Sequence, residues 1–571
     1  MNNNRGMVLA VSLMVMAVLL IVVGAYFSGV FTEKRSADRN LYTIQALSLA
    51  EAGANHAVSE LRRRIRIDIN SRIAKVTTSS TFSAYATNPL GVLSAFAYPN
   101  AGTPFSVNSG VATLTIANSS LDGIIQGNYS AVISVQANGA PTINATLDIF
   151  EFPYKYSVIS QGNITNTNPS VTRQVMLSEG EFKITIRRDN FAKFALFTSH
   201  HSTPSGTTVW FTADTNFNGP VSTNDRFSFA NDPSATFSEL VTQHQTKAQF
   251  YNLGNPVSKD ADYNSVMVAG VDVMRDKPIF NAGFTRGFGI INLSPSITQT
   301  QLKTQALGGM PDNTNGIFVP NNGTAVTGGI YVRGNQGQSN DNPTIVMSVG
   351  AAGPVYTITR SGTTKVITLN YTANTTTVVD GSNTKVYTGI PDGVSHEGVL
   401  IYVNDDIASL AGVVEGNTKV TVSSERDINI TNNITYQNYN TTPTLNATGY
   451  NNVLGILSWG GDVIIAKTAP NNLVMHGVVM AHNGIFTVDD YNKGSPRGNV
   501  TLLGGTITDF YGAFGTFSQG SGQLTGYGRN FIYDARMLNG TTPPYFPYMT
   551  NFAVFDDGKL DSRLTWHDMG I

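Results

Sequence analysis

The chain has no cysteine in its 571 residues. That excludes a disulfide framework, a thiolate metal site and a cysteine nucleophile, so folding rests on burial and hydrogen bonding alone. Charge is also sparse, at 13% of residues. Residues 1–75 hold ten Lys or Arg and five Asp or Glu, which leaves 26 basic against 33 acidic residues for 76–571. Nucleic-acid binders usually carry a basic field. The long C-terminal portion has none overall, and any DNA contact there needs a local patch. No Walker A or GxSxG element occurs, and the eight histidines are scattered. The adjacent His200 and His201 lack ligand spacing and read as surface-loop residues.

What the sequence does contain begins at its N-terminus. From Gly6 to Thr32 there is no charged side chain. The run is too long for a secretory h-region. At about 1.5 Å per residue it reaches roughly 40 Å, enough to cross a bilayer core with some tilt. Arg5 precedes it, and Lys34, Arg35 and Arg39 follow it, so the positive-inside count does not orient it. The weakly charged remainder, rich in Asn, Thr, Ser and Gly, is of a kind that translocates regardless of loop charge, which places the bulk outside the membrane. The helical pattern continues past the apolar run. "EKRSADRNLYTIQALSLAEAGANHAVSELRRRIR" lacks proline and sets Ala54, Val58, Leu61 and Ile65 on one stripe at helical spacing. The basic "LRRRIR" at its end suits a helix C-terminus, or a contact with acidic neighbours in a fibre.

Beyond Lys75 the texture is β. "GVATLTIAN", "YSAVISVQA" and "TINATLDIFEF" read as strands, with Asn138-Gly139 as a hairpin signal. Phe182, Ile184 and Ile186 alternate with Lys183, Thr185 and Arg187, the pattern of a strand with one buried face. After about residue 190 the strands shorten, and Gly, Asn and Asp punctuate them. "NGPVSTNDRFSF" from Asn218 corresponds to "HGVVMAHNGIFT" from His476 as polar-Gly-x-Val, a polar pair near the turn, then an aromatic on the next strand. Repeats of strand, tight turn and strand with polar corners suggest a β-solenoid. The expected fold class is therefore α+β followed by mostly β: a long N-terminal helix, a small antiparallel sheet and a large solenoid.

Three constellations carry candidate chemistry. Asp214, Asn216 and Asn218 alternate ahead of Gly219, and Asp225 stands where a twelve-residue calcium loop places its last carboxylate. The competing reading is an Asx-Gly turn, because the flanks are strand-like and the final ligand is Asp. Calcium is the one cofactor in view. Asp405 and Asp406, with His476, offer the carboxylates that a β-helical glycan-cleaving enzyme would need, without the full ordered motif set of such an enzyme. Lys183, Arg187, Arg188 and Lys193 form the densest basic cluster of the acidic portion, either a DNA contact or a solvated sheet face.

A short polar leader ending in Gly6, an uncharged run opening Met7-Val8-Leu9, and "AEAG" at Ala50–Gly53 within a long helix resemble the non-major pilins of type IV pili. "FAKFALF", "FNGPVSTN", "GGIYVRGN" and "GYGRNFIYDAR" are similar to pilin-like proteins that carry a β-solenoid, some of them competence-associated pilus tip proteins. The resemblance implies cleavage after Gly6 by a prepilin peptidase, methylation of Met7, and association with other pilins through the helix. It also implies residence in the bacterial inner membrane as a precursor, and then in an extracellular pilus or the cell envelope. Major pilins place Glu at the fifth mature position, where it can neutralise a neighbour's N-terminal ammonium; here it is Val11, which favours a unique position such as the tip. The expected organisation is a leader (1–6), a transmembrane and assembly helix (7–66), a pilin-like sheet (67–190), a solenoid (191–540) and a tail (541–571). The expected function is a minor pilin, not an enzyme, at the tip of a pilus or pseudopilus, where it supports assembly and displays the solenoid to extracellular DNA (in natural transformation), surfaces or proteins. The alternative is a membrane-tethered, glycan-active solenoid enzyme.

Overall fold

A computed structural model describes residues 4–76, 78–95, 105–121, 125–144, 148–165, 170–211, 215–229, 236–252, 255–259, 267–268, 271–272, 278–293, 298–338, 341–437, 451–518, 522–539, 541–561 and 567–569. The chain divides into two compact units, Met1–Arg188 with Asn551–Ile571, and Asp189–Thr550.

The first unit is built on α1, Asn4–Arg63. Its helical path runs on through a wider π turn, Arg64–Ile69, to Ile73. The apolar half, with an 18-residue window of mean hydropathy 2.9, is bare of protein contacts and is long and apolar enough to cross a membrane. The other half is amphipathic. Ala46, Leu49, Ala50, Ala54, Ala57, Val58, Leu61 and Ile65 are all buried, so the stripe read from the sequence is the packed face. Its alanines let the sheet approach closely. At Gly162 an added Cβ would sit 2.1 Å from the carbonyl oxygen of Ala46, so only glycine fits.

The sheet it covers is antiparallel, formed by β1 (Ser106–Asn108), β2 (Val111–Leu121), β3 (Ile125–Ala137), β4 (Thr142–Asn144), β5 (Ile149–Ile164) and β6 (Val171–Asn190). In β6 the side chains of Phe182, Ile184 and Ile186 are buried while Lys183, Thr185 and Arg187 are half-buried, as the alternation predicts. Asn138-Gly139 does not make the expected hairpin. β3 and β4 both pair antiparallel with β5, Ala137 opposite Tyr154 and Thr142 opposite Glu151, so the dipeptide interrupts one long strand as a bulge. The expected tail is also corrected. Residues 551–571 belong to the first unit, where a strand of the C-terminal segment joins β6 and His567 pairs with Met176. Phe552 and Leu560 are wholly buried there, which gives the apolar reason for the return.

The second unit is mostly β. One column of parallel pairing runs Ile330, Ile401, Val422, Ile456, Val479, Thr506, Leu196, Val221, Val241 and Phe284. A second parallel column runs Ile345, Leu410, Ile430, Ile465 and Val488. Residues from both columns meet in one core, and the outer side of the first ladder is buried again against an aromatic cluster that includes Phe211, Phe227, Phe229 and Phe237. Strands buried on both faces read as continuous apolar runs, which is why Val399–Val403 (VLIYV) and Val453–Ser458 (VLGILS) show no alternation. The order of the first column is not the order of the chain. The entering strand, Leu196–His200, pairs with the late strand Pro496–Phe510.

Candidate functional site

The residues expected to serve in processing and assembly, Gly6, Met7 and Val11, lie on an open helical surface. Met7 is 71% and Val11 56% exposed, and an added Cβ at Gly6 would meet nothing within 4 Å. Further along, the arginines of "LRRRIR" have partners within the unit. Arg63 and Arg64 each bond Glu60 at 2.7 Å, Arg62 donates to the Leu560 carbonyl, and Arg66 pairs with Asp556. The bond from Arg63 holds the Glu60 carboxyl down at about 2. These arginines brace the helix end.

The expected calcium ligands that are described each bond a backbone amide elsewhere. Asp214 lies outside the described residues. Asn216 Oδ1 accepts the Thr236 N–H at 3.0 Å, Asn218 Oδ1 accepts the Tyr533 N–H at 2.7 Å, and Asp225 accepts the His201 N–H at 3.1 Å. Three oxygens expected to converge on a cation instead satisfy backbone amides of three separate segments. Among the described residues no group of three or more His, Asp or Glu could hold a metal ion.

The expected basic cluster is largely neutralised and divided between the units. In the first, Lys183 bonds Glu151 at 2.6 Å, Arg188 bonds Asp148, and the Arg187 and Arg188 guanidinium groups lie 4.3 and 4.6 Å from the Phe555 and Phe552 ring centres. In the second, Lys193 pairs with Asp189. Cations already matched to carboxylates make a poor phosphate track.

Asp405 and Asp406 also have structural work. Asp405 is 1% exposed and accepts the Asp406 N–H. Asp406 Oδ1 accepts the Asp427 N–H at 2.9 Å, Asp427 Oδ1 accepts the Asp462 N–H at 2.8 Å, and Asp462 Oδ1 accepts the Ile485 N–H at 2.9 Å. One aspartate per layer thus ties each strand start to the next. The repeated corners "NDDI", "SERDI" and "GGDVI" carried this signal in the sequence. Burial raises the Asp462 carboxyl, with the Asp427 charge adding to it. His476 Nδ1 accepts the Tyr436 N–H, and burial lowers its pKa to about 4, so it is neutral near pH 7.

Two polar features escaped the sequence reading. His201 is buried against Phe211, Phe227 and Tyr511, contrary to the surface-loop expectation. Burial, aided by the Arg529 charge, holds its pKa down at about 3. Nearby, a recess of about 10 Å3 lined in part by Thr506, Tyr511 and Phe514 has room for about one water and none for a substrate. The other feature is a charge network. Lys303 Nζ reaches Asp312 at 2.7 Å and Glu425 at 3.2 Å; the Tyr331 and Tyr402 hydroxyls donate to these carboxylates, and Arg333 also pairs with Asp312. Burial would raise the Asp312 carboxyl, but the bonds from Lys303, Tyr331 and Arg333 outweigh it and hold it at about 2. The network anchors α2 (Gln299–Leu307) to the strands Ile330–Arg333 and Val399–Val403. Its members lie far apart in sequence with no motif spacing, so only folding reveals it. Every charge in it is matched, which suits bracing rather than proton transfer.

Residues 150–245 match the family model described as "Domain of unknown function (DUF4900)". No curated protein and no solved structure matches.

Proposed function

We propose that this chain is a minor type IV pilin whose second unit is a β-solenoid displayed outside the cell. The observation that carries the reading is the division of α1: an apolar half without protein contacts runs unbroken into a half packed on an antiparallel sheet. Such a helix can sit first in a bilayer and then among neighbouring helices of a fibre. Val11 has no carboxylate for a neighbour's N-terminal ammonium, which supports few copies at one end. The parallel columns, with stacked aspartate corners, support the solenoid reading of the second unit. In this reading the displayed unit works by binding. Of the expected basic cluster only Lys193 lies in this unit, and it is paired with Asp189, so surfaces and proteins suit the unit better than DNA does. The test is mass spectrometry of protein extracted from cells with an active prepilin peptidase. A chain beginning at methylated Met7 is expected, and an intact Met1 terminus would overturn the proposal. Labelling along a whole pilus shaft would contradict the tip position.

A further inference from the structure

The strand Thr344–Val349 opens a four-strand antiparallel excursion, Pro354–Arg360, Thr363–Asn370, Thr375–Asp380 and Asn383–Thr388, before the chain returns to the ladder. Thr344–Val349 also pairs with Ile407–Val414, so the excursion extends the second ladder into one sheet of nine strands. One face of the excursion packs into the core through Tyr356, Ile358, Ile367 and Leu369.

The other face has an unusual chemistry. One row across it reads Ser348, Val355, Thr368, Thr377 and Val386, and the next runs from Val346 to Thr384. Strand parity puts every charged residue of the four added strands, Arg360, Lys365, Asp380 and Lys385, on the opposite face. Val346 is 43% and Val386 60% exposed. The result is an array of mostly methyl and hydroxyl groups, with the Asn370 amide towards one end and no ionisable side chain among its outward positions. Val and Thr have few χ1 choices, so covering them costs little side-chain entropy.

We propose that a second copy of this chain docks on this face, sheet against sheet. Seven of the nine strands carry about three outward positions each, and at about 4.8 Å per strand and roughly 15–20 Å along them, with one further position each on Val463–Ile465 and Phe486–Val488, the face comes to about 600 Å2 per partner. That is at the lower end of what each side of a standard stable interface contributes, ~800 Å2 on average. A two-fold pair sets the same patch against itself, and an uncharged patch suffers no like-charge repulsion when it does so. The absence of cations argues against an anionic occupant such as nucleic acid. This inference goes beyond the pilin reading and does not depend on it, since either could fail alone.

The full chain in detergent provides the test, by light scattering coupled to size exclusion, with Val346→Glu and Thr368→Glu combined as the variant. A dimer is expected for the parent. The variant should dimerise more weakly by over about tenfold, because each glutamate would be buried without a partner. Its unfolding transition should match the parent's, since both positions face outward. A monomeric parent at micromolar concentration overturns the proposal, as does a dimer that the variant leaves intact, which would place the contact elsewhere, for example on α1. Because the chain lacks cysteine, Val346→Cys or Thr368→Cys adds a single thiol for a short bismaleimide. Crosslinking there but not at Lys493→Cys is expected, and equal crosslinking at all three sites counts against the face.

Discussion

The two units bury their strands in opposite ways. In the first, helix covers one side of an antiparallel sheet, so Phe182, Ile184 and Ile186 go inward and the residues between them face outward. In the second, the first parallel ladder is covered on both sides, and all six residues of Val453–Ser458 are buried. The same residue type therefore carries a different burden in each unit. A polar substitution on alternate positions of the first sheet meets water, whereas anywhere along the first ladder it meets a core.

The largest effect expected from this contrast is at Leu457. Leu457→Asp should cost about 4 kcal/mol or more through an unpaired buried charge, or abolish folding of the second unit. Thr115→Lys, on an exposed position of β2, should stay within about 0.5 kcal/mol. Denaturant unfolding of the full chain in detergent measures both, and equal costs would break the comparison. Next comes Gly162→Ala, which should destabilise the first unit by about 1–3 kcal/mol because the added methyl meets the Ala46 carbonyl.

Acid should separate the units by mechanism. His201 and His476 of the second unit have folded pKa values lowered to about 3 and about 4, from an ordinary 6.5. The unfolded chain binds their protons first, so their contribution is present above pH 6.5. It declines as pH falls towards 4, by up to about 1.4 kcal/mol per pH unit for each histidine. His201→Phe should flatten that slope. In the first unit Glu60, held at about 2 from an ordinary 4.5, contributes above pH 4.5 and loses its contribution as pH falls through 2. Glu60→Gln should leave the decline between pH 6.5 and 4.5 untouched. The smallest expected effect is from Val11→Glu, which lies on the bare half of α1 and should leave the unfolding transition of either unit unchanged. Under the proposed function it should nevertheless increase incorporation along a fibre, as counted by labelled pili.

Much of the first unit was legible because its signals are local. An uncharged run, a helical stripe and a two-residue alternation each report a nearby environment, and helix and strand geometry convert them directly into buried faces. The apolar runs of the second unit likewise announced strands. The candidate sites were less legible because a side chain's residue type says what it can bond, not what it meets. Asn216, Asn218 and Asp225 have the oxygens that calcium takes, but backbone amides occupy them. Lys183 and Arg188 have the charge that DNA takes, but Glu151 and Asp148 neutralise it.

By itself, then, the sequence determined the apolar helix, the one-sided sheet and the predominance of β structure. Tertiary structure alone decided the order of stacking. Strand Leu196–His200 lies between Pro496–Phe510 and Val221–Thr223, and the C-terminal residues close the first sheet hundreds of residues after it began. The physical reason is that a parallel ladder accepts any apolar strand of matching register on its open edge. Which strand arrives there depends on how the whole chain closes its loops and buries its remaining faces, and no local pattern encodes that.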